Sequence, residues 1–166
     1  MQFSKTTCMK IETGQQAPPF TLHDTEKKEV SLKDQEGKNV LLLFFPLAFT
    51  GVCTKELCSI RDNIASYNNA NAIVFGISVD SPQTLSKFKQ EQGLNFSLLS
   101  DFNKEASAAY GAIYDAFAGW MKGVSKRSAF IIDKQGIIRY AEVLENAGEL
   151  PNFEAIQQTL KSLEQR

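Results

Sequence analysis

Residues 40–58 read Val40-Leu41-Leu42-Leu43-Phe44-Phe45-Pro46-Leu47-Ala48-Phe49-Thr50-Gly51-Val52-Cys53-Thr54-Lys55-Glu56-Leu57-Cys58. The run Val40 to Phe45 is apolar without alternation. A run this short reads as a strand buried on both faces, in the middle of a sheet with helices on each side. Pro46 has no N–H for a sheet ladder and ends it. A loop follows, and the pattern predicts a helix over about residues 52–67. In open α/β sheets, sites form just outside the carboxyl ends of strands. Cys53 falls at such a place, in the first helical turn. Free backbone N–H groups and the positive end of the helix dipole favour a thiolate there.

Upstream, residues 11–34 are turn-rich with short strands. Ala17-Pro18-Pro19-Phe20 is extended, and Glu26-Lys27-Lys28 is a polar turn between apolar patches. Downstream, residues 72–79 read as a second buried strand. Ser81 and Pro82 supply the N-cap and first position of a helix that carries Leu85 and Phe88 and stops at Gly93. Residues 96–99 read as a short strand and residues 103–110 as a short helix closed by Gly111. Residues 112–126 resist assignment. Residues 128–133 and 137–143 read as two strands joined at Lys134-Gln135-Gly136. Phe153, Ile156, Leu160 and Leu163 make one apolar stripe on a terminal helix. Buried strands alternating with helices, closed by a hairpin and a helix, give one α/β domain over residues 1–166. The expected architecture is a mixed central sheet with helices on both faces and an N-terminal β extension, the order of a thioredoxin-like fold.

The chain has 166 residues, with 18 Lys and Arg against 19 Asp and Glu. No basic run points to nucleic acid, and no acidic tail to a disordered partner arm. No apolar run approaches the ~20 residues that a membrane helix needs. The start of the chain is polar and lacks the apolar stretch of an export signal. The expected location is therefore a reducing compartment, the cytoplasm, where cysteines more often do chemistry or bind metal than staple scaffolds. The cysteines are Cys8, Cys53 and Cys58, and the one histidine is His23. A Ser–His or Cys–His enzyme would have to use His23, which falls in the turn-rich opening and reads as a surface residue. A Cys/His zinc site would have to gather nearly every ligand from distant positions. No metal or other cofactor is called for.

At about 100° per residue, Leu57, Ile60, Ile64 and Tyr67 share one side of the helix that starts near Val52. Cys53 lies near the middle of that stripe and Cys58 roughly 140° from it. Cys53 is therefore expected to be sheltered, and Cys58 to lean toward solvent or a partner. Glu56 reads either as an orienting partner of Arg127 or as a carboxylate complementing the helix start. Phe49, Phe117, Trp120 and Met121 read as core, as pocket lining or as a dimer face.

The chain resembles the peroxiredoxins over nearly its whole length. The resemblance is carried by Ala17-Pro18-Pro19-Phe20-Thr21-Leu22, by the Pro46…Thr50…Cys53 spacing, and by Arg127 followed by Phe130-Ile131-Ile132-Asp133. Phe44-Phe45-Pro46 with Thr50-Gly51-Val52-Cys53 is similar to the AhpE-like branch. Cys58, five residues after Cys53, is shared with the PrxQ/BCP branch, and both branches stay open. The resemblance implies a thiol-dependent peroxidase acting on hydrogen peroxide and organic hydroperoxides. In it, Cys53 would be the nucleophile and pass through a sulfenic acid. The Thr50 hydroxyl would hydrogen-bond the sulfur and the peroxide. Arg127 would stabilise the thiolate and the charge that develops as the O–O bond breaks. Pro46 would shape and dry the pocket, and the N–H groups of Val52 and Cys53 would hold the peroxide. Phe49, Glu56 and Trp120 are further candidates for contact with substrate.

Cys58 would then condense with the sulfenic acid to a disulfide, for thioredoxin, glutaredoxin or a small thiol to reduce. On one intact helix the two Cα atoms stand ~8.6 Å apart, beyond the ~7 Å limit for a disulfide. The helix start would therefore have to unwind. An inert Cys58 and a one-cysteine cycle is the competing reading, and Cys8 reads as inert. The resemblance implies homodimers built beside the site in AhpE-like members and often monomers in PrxQ-like ones. No Gly-Gly-Leu-Gly segment or C-terminal Tyr-Phe pair is present, which in the family goes with resistance to overoxidation. A thiol–disulfide exchange protein and a redox sensor are the rival functions. Four residues rather than two separate Cys53 from Cys58, which tells against the exchange protein's dithiol pair.

Overall fold

The apolar run at residue 40 is the middle of the fold. In chain order the elements of the computed structural model, which describes residues 10–165, are β1 (Thr21–Asp24), β2 (Glu29–Ser31), β3 (Asn39–Phe44), α1 (Gly51–Asp62), α2 (Ile64–Asn69), β4 (Ala72–Ser78), α3 (Pro82–Gln92), β5 (Ser97–Ser100), α4 (Glu105–Ala109), β6 (Ser128–Ile132), β7 (Ile138–Val143) and α5 (Phe153–Glu164). Cys8 lies outside the described residues. The seven strands form one mixed sheet in the order β2-β1-β5-β4-β3-β6-β7. β3, β4 and β5 are parallel neighbours. β6 joins β3 antiparallel, and the antiparallel pairs β1–β2 and β6–β7 close the two edges.

Every residue of β3 is buried because both faces of the sheet are covered. Its side chains alternate. Leu41 and Leu43, followed by Phe45, enter a layer with Leu57, Ile60, Phe88 and Leu160, roofed by α1, α3 and α5. Val40, Leu42 and Phe44 enter the opposite layer with Phe20, Tyr110, Phe130 and Ile138, covered by α4 and the opening segment. Each such side chain contributes about 1.5–3 kcal/mol of burial. Ser81 caps α3 by accepting the N–H of Thr84, and Gly93 closes it in the left-handed conformation, as its sequence predicts.

One expectation is corrected, and the segment that resisted assignment takes shape. The helix over residues 52–67 is two helices, α1 and α2, broken at Asn63. The Asn63 side-chain amide donates to the carbonyl of Ser59 at 2.9 Å, taking the acceptor its own N–H would use in a continuous helix. That N–H turns to Ile60 instead, which tightens and ends the turn. Residues 112–126 form an irregular antiparallel excursion. It is pinned by the bridges Ile113 to Ser125 and Phe117 to Met121, with Ala118 and Gly119 at positive φ near its tip. Among the described residues, no helix is long and apolar enough to cross a membrane.

Candidate active site

The site forms where β3 leaves the sheet. The N–H of Phe45 still bonds the carbonyl of Ile77 at 2.9 Å, and the chain departs at the buried Pro46. The following loop is fastened by Asp80, just past β4. Its Oδ2 accepts the N–H of Ala48 at 2.8 Å and the hydroxyl of Ser78 at 2.7 Å. Sequence reasoning missed Asp80. Its signal is an acidic residue between a buried strand and a helix N-cap, at the same sheet end as Cys53. Phe49 then adopts φ 65, a left-handed conformation costing a non-glycine residue about 1–3 kcal/mol. That bend delivers Thr50 to the N-cap of α1.

The first bond of α1 runs from the N–H of Thr54 to the carbonyl of Thr50 at 2.9 Å. The N–H groups of Val52 and Cys53 precede it and have no acceptor within the helix. The Thr50 hydroxyl donates to the carbonyl of Leu47 at 2.7 Å, not to the sulfur. With its proton committed there, the oxygen offers only lone pairs to a visitor. Val52 is half-buried and Thr50 exposed, while Cys53 lies on the buried side with Leu57 and Ile60, as the helical spacing predicts.

Sheet register brings in Arg127. Phe44 pairs with Ser128, so the residue before Ser128 lies beside the end of β3 although it is 74 positions from Cys53. Its Nη2 donates to Cys53 Sγ at 3.3 Å and to the carbonyl of Ala147 at 3.0 Å. Its Nε also reaches Ala147 at 3.3 Å, and Nη1 donates to Glu56 Oε2. The helix-start reading of Glu56 is thus replaced by the pair with Arg127. The cluster is dry: Cys53 and Arg127 are each 1% exposed and Glu56 is 0% exposed. Burial pushes the Glu56 carboxyl up to about 7, against the pull of Arg127. Burial opposes the Arg127 charge, but Glu56 and Cys53 beside it hold it above its usual value.

Cys58, expected to lean outward, is half-buried, and its thiol donates to Gln92 Oε1 at 3.6 Å. The Arg61 guanidinium holds the Gln92 carbonyl, so the far half of α1 is clamped to the end of α3. Cys53 and Cys58 are both free thiols on the unbroken α1. Phe49 and Trp120 are not core, being 49% and 73% exposed. The Phe49 ring leans edge-on against Phe88 at 5.1 Å, and Trp120 stands at the tip of the 112–126 excursion. Phe117 and Met121 are half-buried. His23 is at the surface, 4.0 Å from Glu29.

The model of the AhpC/TSA family matches residues 13–141. The chain belongs to the AhpC/TSA family. As a peroxiredoxin it is a thiol-dependent peroxidase, with a hydroperoxide as substrate and a thiol as reductant. Its curated relatives come from both branches that the sequence suggests. Alkyl hydroperoxide reductase E of Mycobacterium tuberculosis is 40% identical over 143 residues, covering 84% of this chain and 90% of that one. Peroxiredoxin Bcp of Escherichia coli is 37% identical over 131 residues, covering 78% and 84%. Among solved structures, peroxidoxin BcpB of Mycobacterium tuberculosis superposes with a TM-score of 0.81 at 27% identity, over 92% of this peroxiredoxin and 98% of that chain.

Proposed function

We propose that Cys53 is the sulfur that attacks the peroxide and that Cys58 resolves it. The carrying observation is the guanidinium of Arg127 on Cys53 Sγ at 3.3 Å, at the start of α1. In this reading the Cys53 thiolate attacks the terminal peroxide oxygen. Its electron pair forms the S–O bond, the O–O bond breaks, and water or an alcohol leaves. The N–H groups of Val52 and Cys53 orient the peroxide, and the Thr50 oxygen accepts its hydrogen. Arg127 offsets the charge developing on the separating oxygens. Pro46 contributes no donor and keeps the pocket floor dry. The loop bearing Phe49 lies at the entrance, where an apolar ring favours organic hydroperoxides alongside hydrogen peroxide.

Cys58 then attacks the sulfenic sulfur, expelling water and closing an intramolecular disulfide that thioredoxin, glutaredoxin or a small thiol reduces. This step requires α1 to unwind between its cysteines, because helical geometry keeps their Cα atoms ~8.6 Å apart. A one-cysteine cycle with an external thiol is the second reading, favoured by the continuity of α1 and the hold of Gln92 on Cys58. A homodimer through the exposed Phe49 and Trp120 belongs to the same proposal, as does residence in a reducing cytoplasm, which suits two free thiols.

The test is rapid-mixing oxidation of wild type, Cys53→Ser and Cys58→Ser with the oxidised masses recorded. Cys53→Ser is expected to lose peroxide consumption. Wild type is expected to lose two hydrogens and give a linked peptide pair. A lasting sulfenic acid in wild type, with Cys58 free, would falsify the resolving role. Sedimentation of wild type against Trp120→Glu tests the dimer, which the substitution should dissociate.

A further inference from the structure

Two acids meet one cation in the dry pocket. Glu56 follows Cys53 by one helical turn, so both project from the same face of α1. The Arg127 guanidinium bonds both, Nη2 on the sulfur at 3.3 Å and Nη1 on Glu56 Oε2. Among the described residues, Arg127 is the cation in hydrogen-bonding contact with either group, and its remaining contact is the neutral carbonyl of Ala147. The other ionisable group acting on Glu56 is Glu142 of β7, of the same sign. Glu56 Oε1 is buried without a hydrogen-bond partner. A second full anion here would leave a charged oxygen unsolvated, which costs far more than a neutral one.

We propose that in the reduced protein Cys53 and Glu56 share a single proton across Arg127, and that oxidation of Cys53 to the sulfenic acid leaves Glu56 ionised. The upward push of burial on the Glu56 carboxyl agrees with this. The proposal rests on Cys53 being the attacking sulfur. Its proton count closes with no net uptake from solvent. Thiolate, carboxylic acid and hydroperoxide become sulfenic acid, carboxylate and alcohol or water. The sulfur pair forms the S–O bond, the O–O pair leaves with the departing oxygen, and the one proton that oxygen needs is the proton the pair held. Thiol beside carboxylate is the minor microstate of the pair and contains the same proton. After the step, Arg127 faces one anion, and Glu56 satisfies it. Glu56 is thus a positioning residue that acts on the sulfur through the guanidinium.

The test uses Cys58→Ser protein, so that oxidation stops at the sulfenic acid. One equivalent of hydrogen peroxide is mixed at neutral pH in weak buffer with an indicator dye, and infrared difference spectra and the mass are recorded. The single change should take up no proton, while the same protein with Glu56→Gln takes up one per Cys53. The spectrum should show a protonated carboxyl band that disappears on oxidation and is missing with Glu56→Gln. Uptake of one proton with Glu56 present, or no loss of a carboxyl band, overturns the proposal. If Glu56→Gln does not fold, the infrared spectrum with Glu56 present decides alone. If the mass shows no oxygen added at Cys53, the assignment of the attacking sulfur fails first and takes the proton sharing with it.

Discussion

In the proposed reaction Thr50 and Arg127 act in opposite senses, one as an acceptor and one as a donor, so their variants separate the two roles. The Thr50 hydroxyl gives its hydrogen to Leu47, which leaves an oxygen able to receive the peroxide hydrogen. Thr50→Val keeps the shape and removes that acceptor; its second-order rate with peroxide is expected to fall roughly 100-fold, in the range of losing one oriented hydrogen-bonding partner. Thr50→Ser should stay within a few fold. Equal rates for Val and wild type would remove Thr50 from the chemistry. Arg127→Lys retains a charge but cannot span Cys53, Glu56 and Ala147 at once. It is expected to lower the same rate by about 10–100-fold, measured by the same rapid-mixing trace.

At the scale of the element, the proposed cycle places two conflicting demands on α1: it must be wound to present Cys53 to Arg127, and unwound for Cys58 to reach it. Gly51 is the first residue of α1, and an added Cβ there meets nothing within 4 Å. Gly51→Ala should stabilise the wound form by about 0.4–1 kcal/mol. Disulfide formation is then expected to slow about two- to fivefold with the peroxide step unchanged, read from the two kinetic phases. The β6–β7 turn has its own device. Asp133 accepts the N–H groups of Gln135 and Ile137 at 2.9 and 3.0 Å and Arg139 Nε at 2.7 Å. Burial alone would raise its carboxyl, but the bonds from Ile137, Arg139 and Gln135 prevail and hold it below 3.8. Its folded value lies below its unfolded one, so its contribution is present above the unfolded value and lost as pH falls through the folded one. Asp133→Ala should cost about 1–3 kcal/mol at neutral pH and progressively less in acid, read from denaturant midpoints.

For the whole molecule, the sheet is the frame that makes the site possible, and its packing is tight. A Cβ at Gly76 in β4 would stand 2.7 Å from Leu98 Cδ2 and 3.4 Å from Phe45, both fully buried. Gly76→Ala is expected to destabilise by about 1–3 kcal/mol and to lower Tm. A second global signature comes from Glu56. Its carboxyl rises from 4.5 to about 7 on folding, so the folded protein binds more protons than the unfolded chain between those values. The contribution of Glu56 to the stability of the reduced protein should therefore be fully present below 4.5 and be lost as pH rises to about 7. Glu56→Gln should flatten that slope in thermal melts, and an unchanged slope would assign it to other groups.

Much of this was readable in the linear chain wherever burial follows a local period. The unalternating run before Pro46, the 3.6-residue stripe holding Cys53, the cap at Ser81 and Pro82, and the closing hairpin and helix all report their surroundings through spacing. Asn63 escaped because a side-chain bond to one carbonyl overrode the helical pattern. Glu56 was legible as a candidate, but the choice between pairing with Arg127 and complementing the helix start was not, because that partner lies just before β6, far along the chain. Asp80 under the loop and Gln92 on Cys58 share that character, and Arg127 on the sulfur was expected only through the family resemblance, not through any spacing. Their contacts come from sheet register and helix docking, which join groups dozens of positions apart and leave no periodic trace. The order of residues thus determined which segments are covered and where Cys53 sits, at the start of α1 just outside the end of β3. The assembled sheet alone determined which charges face it, because one guanidinium in a dry pocket acts by distance rather than by sequence separation.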